Sequence, residues 1–565
     1  MKFGTLDVLQ VALFILSLAV LTPIIGSFMA KVFSGEKHFM KSFLGKTEEL
    51  IYRVCRINPA EEMNWKEYTF ALLAFNFAGF ILLLLFQEVQ QILPFNPQHL
   101  PAVSWDLAIN TAVSFVTNTN WQSYAGETTM SNFVQMVGLT VQNFLSAATG
   151  IVVILPFIRG IIRKTTDDIG NFWVDVTRTT LYILLPLSVI LAIILVGQGT
   201  VQTLTHYHTV KAITGQGQVI PVGPAASQIA IKQLGSNGGG FFNANGAHPF
   251  ENPTPLTDFL EMLSIILIAS GLVYTYGRLI GSMKQALVIW SVMLVLFVSM
   301  LSVSLYSEWT FHPAYASTPT MEGKETRFGI TNSVLWEVAT TSASNGSVNA
   351  MHDSMTPLSG MVALVNMMTG EVIFGGVGAG LYGMFHFILL TVFIAGLMVG
   401  RTPEYLGKKI EAYEVKMAVI GVVAPSAAIL VFTAIGVITR GGLSSLNNSG
   451  PHGFSEILYA FTSAAANNGS AFAGLNTNTV FYNLSQSAGM VIGRYSVIVP
   501  VLAISGSLAR KKSIPPSPGT FPTDSPLFGF LLIGIIIIIS ALTFFPALAL
   551  GPIVEHFLML AGKTF

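Results

Sequence analysis

Apolar residues run in long unbroken stretches, not in the alternating stripes of a soluble fold. LFGFLLIGIIIIISALTFFPALAL at 527–550 is the plainest example. A helix needs about 20 apolar residues to cross a bilayer. Ten stretches suit such spans: 5–30, 66–88, 131–158, 178–198, 254–277, 283–305, 358–400, 416–437, 481–505 and 525–548. The seventh is too long for one helix and contains FGGVGAG at 374–380, so a break is expected there. Glycine costs about 1 kcal/mol per helical position relative to alanine. Broken backbone at membrane depth is tolerated only where protein or water surrounds it. The first stretch outruns a signal-peptide core of roughly 7–15 residues and lacks an A-x-A-like site after it, so a retained helix is expected.

Four other apolar stretches, 105–117, 226–235, 333–343 and 455–466, are too short to span. They suit helices that enter the membrane and turn back. Ser104, Asn332 and Ser455 are the expected N-caps, with Asp106 and Glu456 in first turns. Each short stretch leads into a similar polar passage: SFVTNTNWQSY (114–124), KQLGSNGGGFFNAN (232–245), ATTSASNGSVNAM (339–351) and FTSAAANNGSAFAGL (461–475). Aligned on Asn120, Asn237, Asn345 and Asn468, they recur at spacings of 117, 108 and 123 residues. A near-constant period indicates an internal repeat. The expected fold is an all-α polytopic membrane protein forming one membrane domain over 1–565. Four units of helix, re-entrant pore loop and helix cover 66–158, 178–277, 283–400 and 416–505, with extra helices at 5–30 and 525–548.

Composition sharpens this picture. Only 10% of residues are charged and the net charge is zero, which gives no footprint for nucleic acid. The lone cysteine, Cys55, excludes an internal disulfide framework. Twenty of the 28 Lys and Arg residues fall in 31–66, 159–178, 278–284, 401–416 and 510–512. Cytoplasmic loops carry excess positive charge, so these segments are expected inside and both termini outside.

The four passages then lie on the outer side. A short helix entering from outside aims its partially negative C-terminal end at the membrane middle, which favours a cation. Asn-Gly recurs beyond it at 237–238, 345–346 and 468–469. Glycine lets successive carbonyls face inward without a Cβ clash. Four such strands around an axis would replace the hydration shell of a potassium ion with carbonyl oxygens. A divalent ion would usually require carboxylates, and the core strings contain none. The first unit has Asn120-Trp121-Gln122 in place of Asn-Gly, so a non-equivalent strand is expected there, with the Gln122 amide as a possible participant.

FVTNTNWQSY, NGGGFFNANGAHPFENPTP, GSVNAMHDS, GRTPEYLGKKIE and NNGSAFAGL together resemble the potassium-binding A-subunit family of Kdp-type potassium pumps, part of a superfamily of potassium transporters built from four linked pore units. The resemblance covers essentially the whole chain. It implies a non-catalytic subunit of the bacterial inner membrane that takes K+ from outside. It further implies a separate P-type ATPase subunit as partner, with small accessory membrane subunits around it. No ATP is expected on this chain, which lacks both a phosphate loop and the Asp-Lys-Thr-Gly phosphorylation motif. By position, the K+ filter would comprise Thr119, Asn120, Trp121, Gln122, Ser236, Asn237, Gly238, Gly239, Ser344, Asn345, Gly346, Ser347, Asn467, Asn468, Gly469 and Ser470.

Several other residues stand out. Arg494 lies mid-span, where a charge costs roughly 2.5–3.5 kcal/mol or more and usually faces a polar interior. It suits the ion path or a structural ion pair. Glu371, beside the glycine-rich break, is its candidate partner, an ion-attracting group or a cap. By family analogy Gly375, Gly376 and Gly378 would form a barrier below the filter; the alternative is close helix packing. Arg401 suits a contact to the ATPase partner or a positive-inside anchor. His248 and His352-Asp353 have no matched ligand set at zinc spacing. Two rival readings are a stand-alone potassium channel or symporter, and a polytopic membrane enzyme using those histidines.

Overall fold

A computed structural model describes residues 3–310, 312–314, 319–515 and 520–563. Among them, ten helices are long and apolar enough to cross a membrane: Thr5–Ser34, Trp65–Glu88, Val134–Ile162, Phe172–Gln198, Pro255–Ile280, Met283–Trp309, Ala379–Met398, Ala412–Ile438, Val480–Arg510 and Pro526–Leu560. The expected break is present. Pro357–Met368 ends in a non-helical segment, and a new helix begins at Ala379.

Four short helices sit between paired long ones: Trp105–Val116, Ala225–Leu234, Gly329–Ser342 and Gly450–Ala466. Nearly every side chain on them is buried. The ring of units closes on itself, because the first short helix packs against the last long helix of the fourth unit. There Asn110 Nδ2 donates to the Asn483 carbonyl at 2.8 Å, and Asn483 Nδ2 donates to Asp106 Oδ2 at 2.8 Å.

Two of the expected caps are corrected. Ser104 does precede its helix, but Asn332 and Ser455 lie inside theirs. The third short helix starts earlier because the amides of Phe328 and Gly329 turn onto the Glu325 carbonyl at 3.1 and 3.0 Å. The fourth starts at Gly450 with Pro451 in its first turn, where a fixed φ and a missing N–H suit a helix start. Glu456 accordingly lies beyond the first turn, while Asp106 is within it.

Helix Thr5–Ser34 shows how the outer elements attach. It lays small residues on Pro255–Ile280: Thr22 Oγ1 and Ser270 Oγ are 2.6 Å apart, and Thr275 Oγ1 donates to the Gly26 carbonyl at 3.0 Å. Without a hydrophobic drive inside lipid, such close approach holds helices together. Its opposite faces expose Leu6, Leu9, Leu13, Leu16 and Ile24, as a lipid-facing surface would.

The basic segments gather at one end of the bundle. Arg178 Nε meets Glu48 Oε1 at 2.8 Å, Arg163 pairs with Glu62, Arg510 with Asp167, and Lys511 Nζ meets Glu414 Oε2 at 2.7 Å. Lys408 Nζ donates to the Leu508 and Lys511 carbonyls at 2.9 and 2.8 Å. Burial acts to raise the Glu48 carboxyl, but hydrogen bonds from Arg178, Tyr182 and Tyr52 outweigh it and hold it below the ordinary carboxylate value.

Candidate ion-coordination site

Each short helix ends on a left-handed residue: Asn118, Ser236, Ser344 and Asn467, with φ of 63°, 44°, 52° and 60°. Two residues on, the chain is left-handed again at Asn120, Gly238, Gly346 and Gly469, with φ of 56°, 87°, 80° and 97°. The residue between them returns its amide five positions. Thr119 donates to Ser114, Asn237 to Lys232, Asn345 to Thr340 and Asn468 to Ser463, at 2.8 to 3.2 Å. The four strands therefore superpose residue by residue.

This corrects the sequence alignment. Asn120 does not match the other asparagines; Thr119 does. Asn120 occupies the glycine position, because asparagine tolerates left-handed backbone better than most residues. The first strand is thus equivalent in backbone and shifted by one residue in the alignment. Gln122 is also reassigned. Its Oε1 accepts from Gly240 N at 2.8 Å and its Nε2 donates to the Gly240 carbonyl at 3.0 Å, so the amide braces the first strand to the second.

The strands meet in cyclic order. A β-carbon added at Gly238 would overlap the Asn345 carbonyl, one at Gly346 the Asn468 carbonyl, and one at Gly469 the Thr119 carbonyl. Only glycine permits these approaches at these φ values. The meeting strands bring together two sets of main-chain oxygens, those of Thr119, Asn237, Asn345 and Asn468 and those of Asn120, Gly238, Gly346 and Gly469. None of these eight carbonyls accepts a hydrogen bond among the described residues. Seven of the eight residues are buried, where carbonyls are nearly always paired, so a set without partners requires an explanation. Carbonyl oxygens gathered without donors suit a weakly hydrated monovalent cation.

Side chains turn outward to hold the strands. Asn345 Nδ2 donates to the Lys232 carbonyl at 3.1 Å, and Asn468 Nδ2 to the Thr340 carbonyl at 2.9 Å. Each thereby grips the neighbouring unit's short helix. Asn237 Nδ2 instead reaches the Asn143 carbonyl at 3.1 Å and Asn118 Oδ1. In the third and fourth strands, Ser347 N and Ser470 N each donate to the preceding asparagine's Oδ1 at 3.0 Å.

A funnel on one side of the ring is lined by Asn120, Trp121, Gln122, Gly239, Gly346 and Gly469. A cavity on the other side is lined by Ser344, Asn467, Glu371 and Arg494. Glu371 Oε1 accepts from Asn468 Nδ2 at 2.7 Å, which ties a carboxylate to the ring. Among the described residues Arg494 makes only a long hydrogen bond, Nη2 to the Ser146 carbonyl at 3.4 Å, and its Nε has no hydrogen-bond partner. The expected Arg494–Glu371 ion pair is absent among the described residues; both groups border one cavity instead.

The break lies against the third strand. Gly375 N donates to the Ser342 carbonyl at 2.9 Å, an added β-carbon at Gly376 would come 3.1 Å from Ser344 Cβ, and one at Gly378 would overlap the Gly150 carbonyl. Glu371 and Phe374 also have positive φ, of 52° and 62°. Such backbone persists only where its surroundings enforce it. Arg401 is exposed and follows the left-handed Gly400 cap, and its side chain has no partner among the described residues.

His248 stacks on Phe242 at 4.1 Å and accepts from Phe250 N at 3.1 Å. His352 Nδ1 bonds to Tyr459 OH at 2.8 Å, and burial lowers its pKa to about 4. Asp353 pairs with His452 Nε2 at 3.1 Å. Among the described residues, neither His248 nor His352 hydrogen-bonds a carboxylate. Sequence reasoning missed Asn118, Asn143, Trp336 and Lys232 as supports of the ring. Lys232 carried the one available signal, a lysine inside a buried ten-residue helix.

The profile of the family described as potassium-transporting ATPase A subunit matches residues 12–557. The potassium-transporting ATPase potassium-binding subunit of Sorangium cellulosum is 56% identical over 569 residues, 97% of this chain and 98% of the relative. Its Pseudomonas aeruginosa counterpart is 54% identical over 555 residues, 97% and 98% respectively. The crystal structure of the potassium transporter TrkH from Vibrio parahaemolyticus aligns with a TM-score of 0.52 at 13% identity, covering 87% of this chain and 96% of that one, which is a likeness of fold. With a matching profile over nearly its whole length and relatives above half identity, the chain belongs to the potassium-transporting ATPase A subunit family.

Proposed function

We propose that this chain is the K+-binding subunit of an ATP-driven uptake pump of a bacterial inner membrane. One observation carries the reading: four matching strands meet in cyclic order, and eight of their main-chain oxygens, seven from buried residues, accept no hydrogen bond among the described residues. Main-chain oxygen in such number matches an alkali cation stripped of water. Relatives bearing the name potassium-binding subunit support K+ as that cation.

In this reading the funnel faces outside, as do both termini, and the basic end of the bundle faces the cytoplasm. The pore units span 66–158, 178–277, 283–400 and 416–505. Potassium enters the ring from the funnel and is held by the carbonyls of Thr119, Asn120, Asn237, Gly238, Asn345, Gly346, Asn468 and Gly469, within the filter strands Thr119 to Gln122, Ser236 to Gly239, Ser344 to Ser347 and Asn467 to Ser470. Glu371 draws the ion below the ring, Arg494 opposes excess cations, and Gly375 to Gly378 close the direct way down. ATP is hydrolysed on a separate P-type ATPase subunit, with Arg401 at its interface and small accessory subunits alongside.

The test is purification of the whole complex. The preparation should contain a P-type ATPase chain and hydrolyse ATP in response to K+. A chain that purifies alone and conducts K+ passively would overturn the pump reading in favour of a stand-alone channel.

A further inference from the structure

In three of the four strands the next carbonyl behaves differently from the eight in the ring. Ser114 Oγ donates to the Trp121 carbonyl at 2.9 Å, Lys232 Nζ to Gly239 at 3.0 Å and Trp336 Nε1 to Ser347 at 2.8 Å. In the fourth strand Tyr459 OH instead holds the Ser470 hydroxyl at 2.7 Å. All four holders belong to the short helix that precedes the strand. Three of them are neutral and one is a cation.

Lys232 is nearly inaccessible, with its side chain 1% exposed, and it meets Glu251 Oε2 at 2.5 Å. Glu251 is fully buried and its other oxygen accepts from Phe242 N at 2.7 Å. A buried ammonium is costly unless it is paired and hydrogen-bonded, and this one has both. Its placement coincides with a backbone departure confined to the second strand. Gly239 is left-handed with φ of 68°, so two consecutive residues of that strand are left-handed. At the corresponding place the other strands have Trp121, Ser347 and Ser470, none of them left-handed.

We infer that Lys232 is a specificity-determining positioning residue: its ammonium, balanced by Glu251, takes the Gly239 carbonyl out of ion coordination and confines the bare-ion site to the eight carbonyls of the ring. An oxygen that already accepts from an ammonium is a poor ligand for a second cation. The entering ion therefore meets full carbonyl coordination only one residue deeper than Gly239. The inference rests on the filter reading above and deepens it.

The experiment measures half-saturating K+ and Rb+ for ATP hydrolysis by the intact complex carrying Lys232→Met with Glu251→Gln. Removing both charges avoids leaving one of them buried alone. Half-saturating K+ should rise about tenfold or more and the Rb+/K+ ratio should fall toward one, whereas Lys232→Gln with Glu251→Gln, where the residue 232 amide still donates to Gly239, should keep most of the discrimination. An assembled double variant with wild-type K+ dependence and an unchanged ratio overturns the inference. Loss of assembly in both variants also overturns it, because the tether would then serve folding and not selection. Gly238→Ala run in parallel separates the two failures: if it also leaves ion dependence unchanged, the filter reading itself falls.

Discussion

Alanine at the ring glycines is the most direct perturbation of the proposed site. At Gly238 the new β-carbon would overlap the Asn345 carbonyl and lie 2.8 Å from Ser347 N. At Gly346 it would overlap the Asn468 carbonyl and lie 2.8 Å from Gly469 Cα, and at Gly469 it would overlap the Thr119 carbonyl and lie 3.0 Å from its carbon. Carbon and oxygen touch at about 3.3 Å. Because all of these neighbours are backbone, no rotamer change relieves the overlap, and a strand must move by roughly half an ångström or more. The left-handed φ at each position adds about 1–2 kcal/mol for a residue with a β-carbon.

Most of that displacement falls on carbonyls proposed to hold the ion. If about 1–3 kcal/mol of it is lost from binding, half-saturating K+ rises roughly 5- to 150-fold. Gly238→Ala should be the most severe, since its overlap is the deepest of the three. K+-dependent ATP hydrolysis by the purified complex reports the shift, with Rb+ and NH4+ measured beside it. Gly534→Ala is the control: nothing lies within 4 Å of its new carbon, and alanine improves helix propensity by up to about 1 kcal/mol. Gly238→Ala with unaltered half-saturation and selectivity in an assembled complex would refute the ring.

Other outcomes follow from the periphery. Burial acts to lower the His452 pKa, but Asp353 and Glu555 outweigh it and raise it to about 10 from 6.5. Its stabilising contribution is therefore full below about pH 6.5 and lost as pH climbs through about 10. Thermal unfolding of the complex from pH 7 to 10.5 should show this loss, and His452→Gln should be less stable at pH 7 by about 3 kcal/mol and lack that pH dependence. Glu48, whose folded-state pKa is depressed, stabilises the attachment of helix Phe39–Val54 above its ordinary value of 4.5 and loses that effect as pH falls through the folded value. Glu48→Gln should therefore raise hydrogen exchange in that helix at neutral pH and flatten its acid dependence. Arg401→Glu should reduce recovery of the ATPase partner several-fold without unfolding the free chain; unchanged recovery would remove Arg401 from the interface.

Much of the architecture could be read from the chain because bilayer thickness turns length and apolarity into spans. The break near Gly375 could be read for a related reason, since glycines interrupt an otherwise overlong run. The recurrence of Asn-Gly exposed three strands directly. The fourth hid behind chemical identity: Asn120 performs a glycine's conformational task, so matching letters misplaced it by one. TNTN alternates residues tolerant of left-handed backbone with residues that are not, and read for φ instead of for identity it gives the right register. The caps at Asn332 and Ser455 failed because turn bonds and a proline started those helices earlier. The roles of Ser114, Lys232 and Trp336 depend on contacts 7 or 11 residues away across a turn, which no local pattern encodes.

Below the ring the same reading favours a sideways exit. An ion leaving downward meets the strained segment from Glu371 to Gly378, held against the third strand by the Gly375–Ser342 bond. It also meets Arg494, whose guanidinium has little else to neutralise it. Like charge in a poorly screened interior is repelled far more strongly than in water. The cavity that Glu371 and Arg494 border is also lined by Ser426 on helix Ala412–Ile438 and by Ser540 and Thr543 on helix Pro526–Leu548. Ser426 Oγ and Thr543 Oγ1 donate back to the Val422 and Ile539 carbonyls at 2.9 and 2.7 Å, which leaves their oxygen lone pairs as acceptors toward the cavity. On the proposed function, a barrier beneath the ring and a side passage bearing hydroxyls would send the ion to a neighbouring subunit and not straight through this chain.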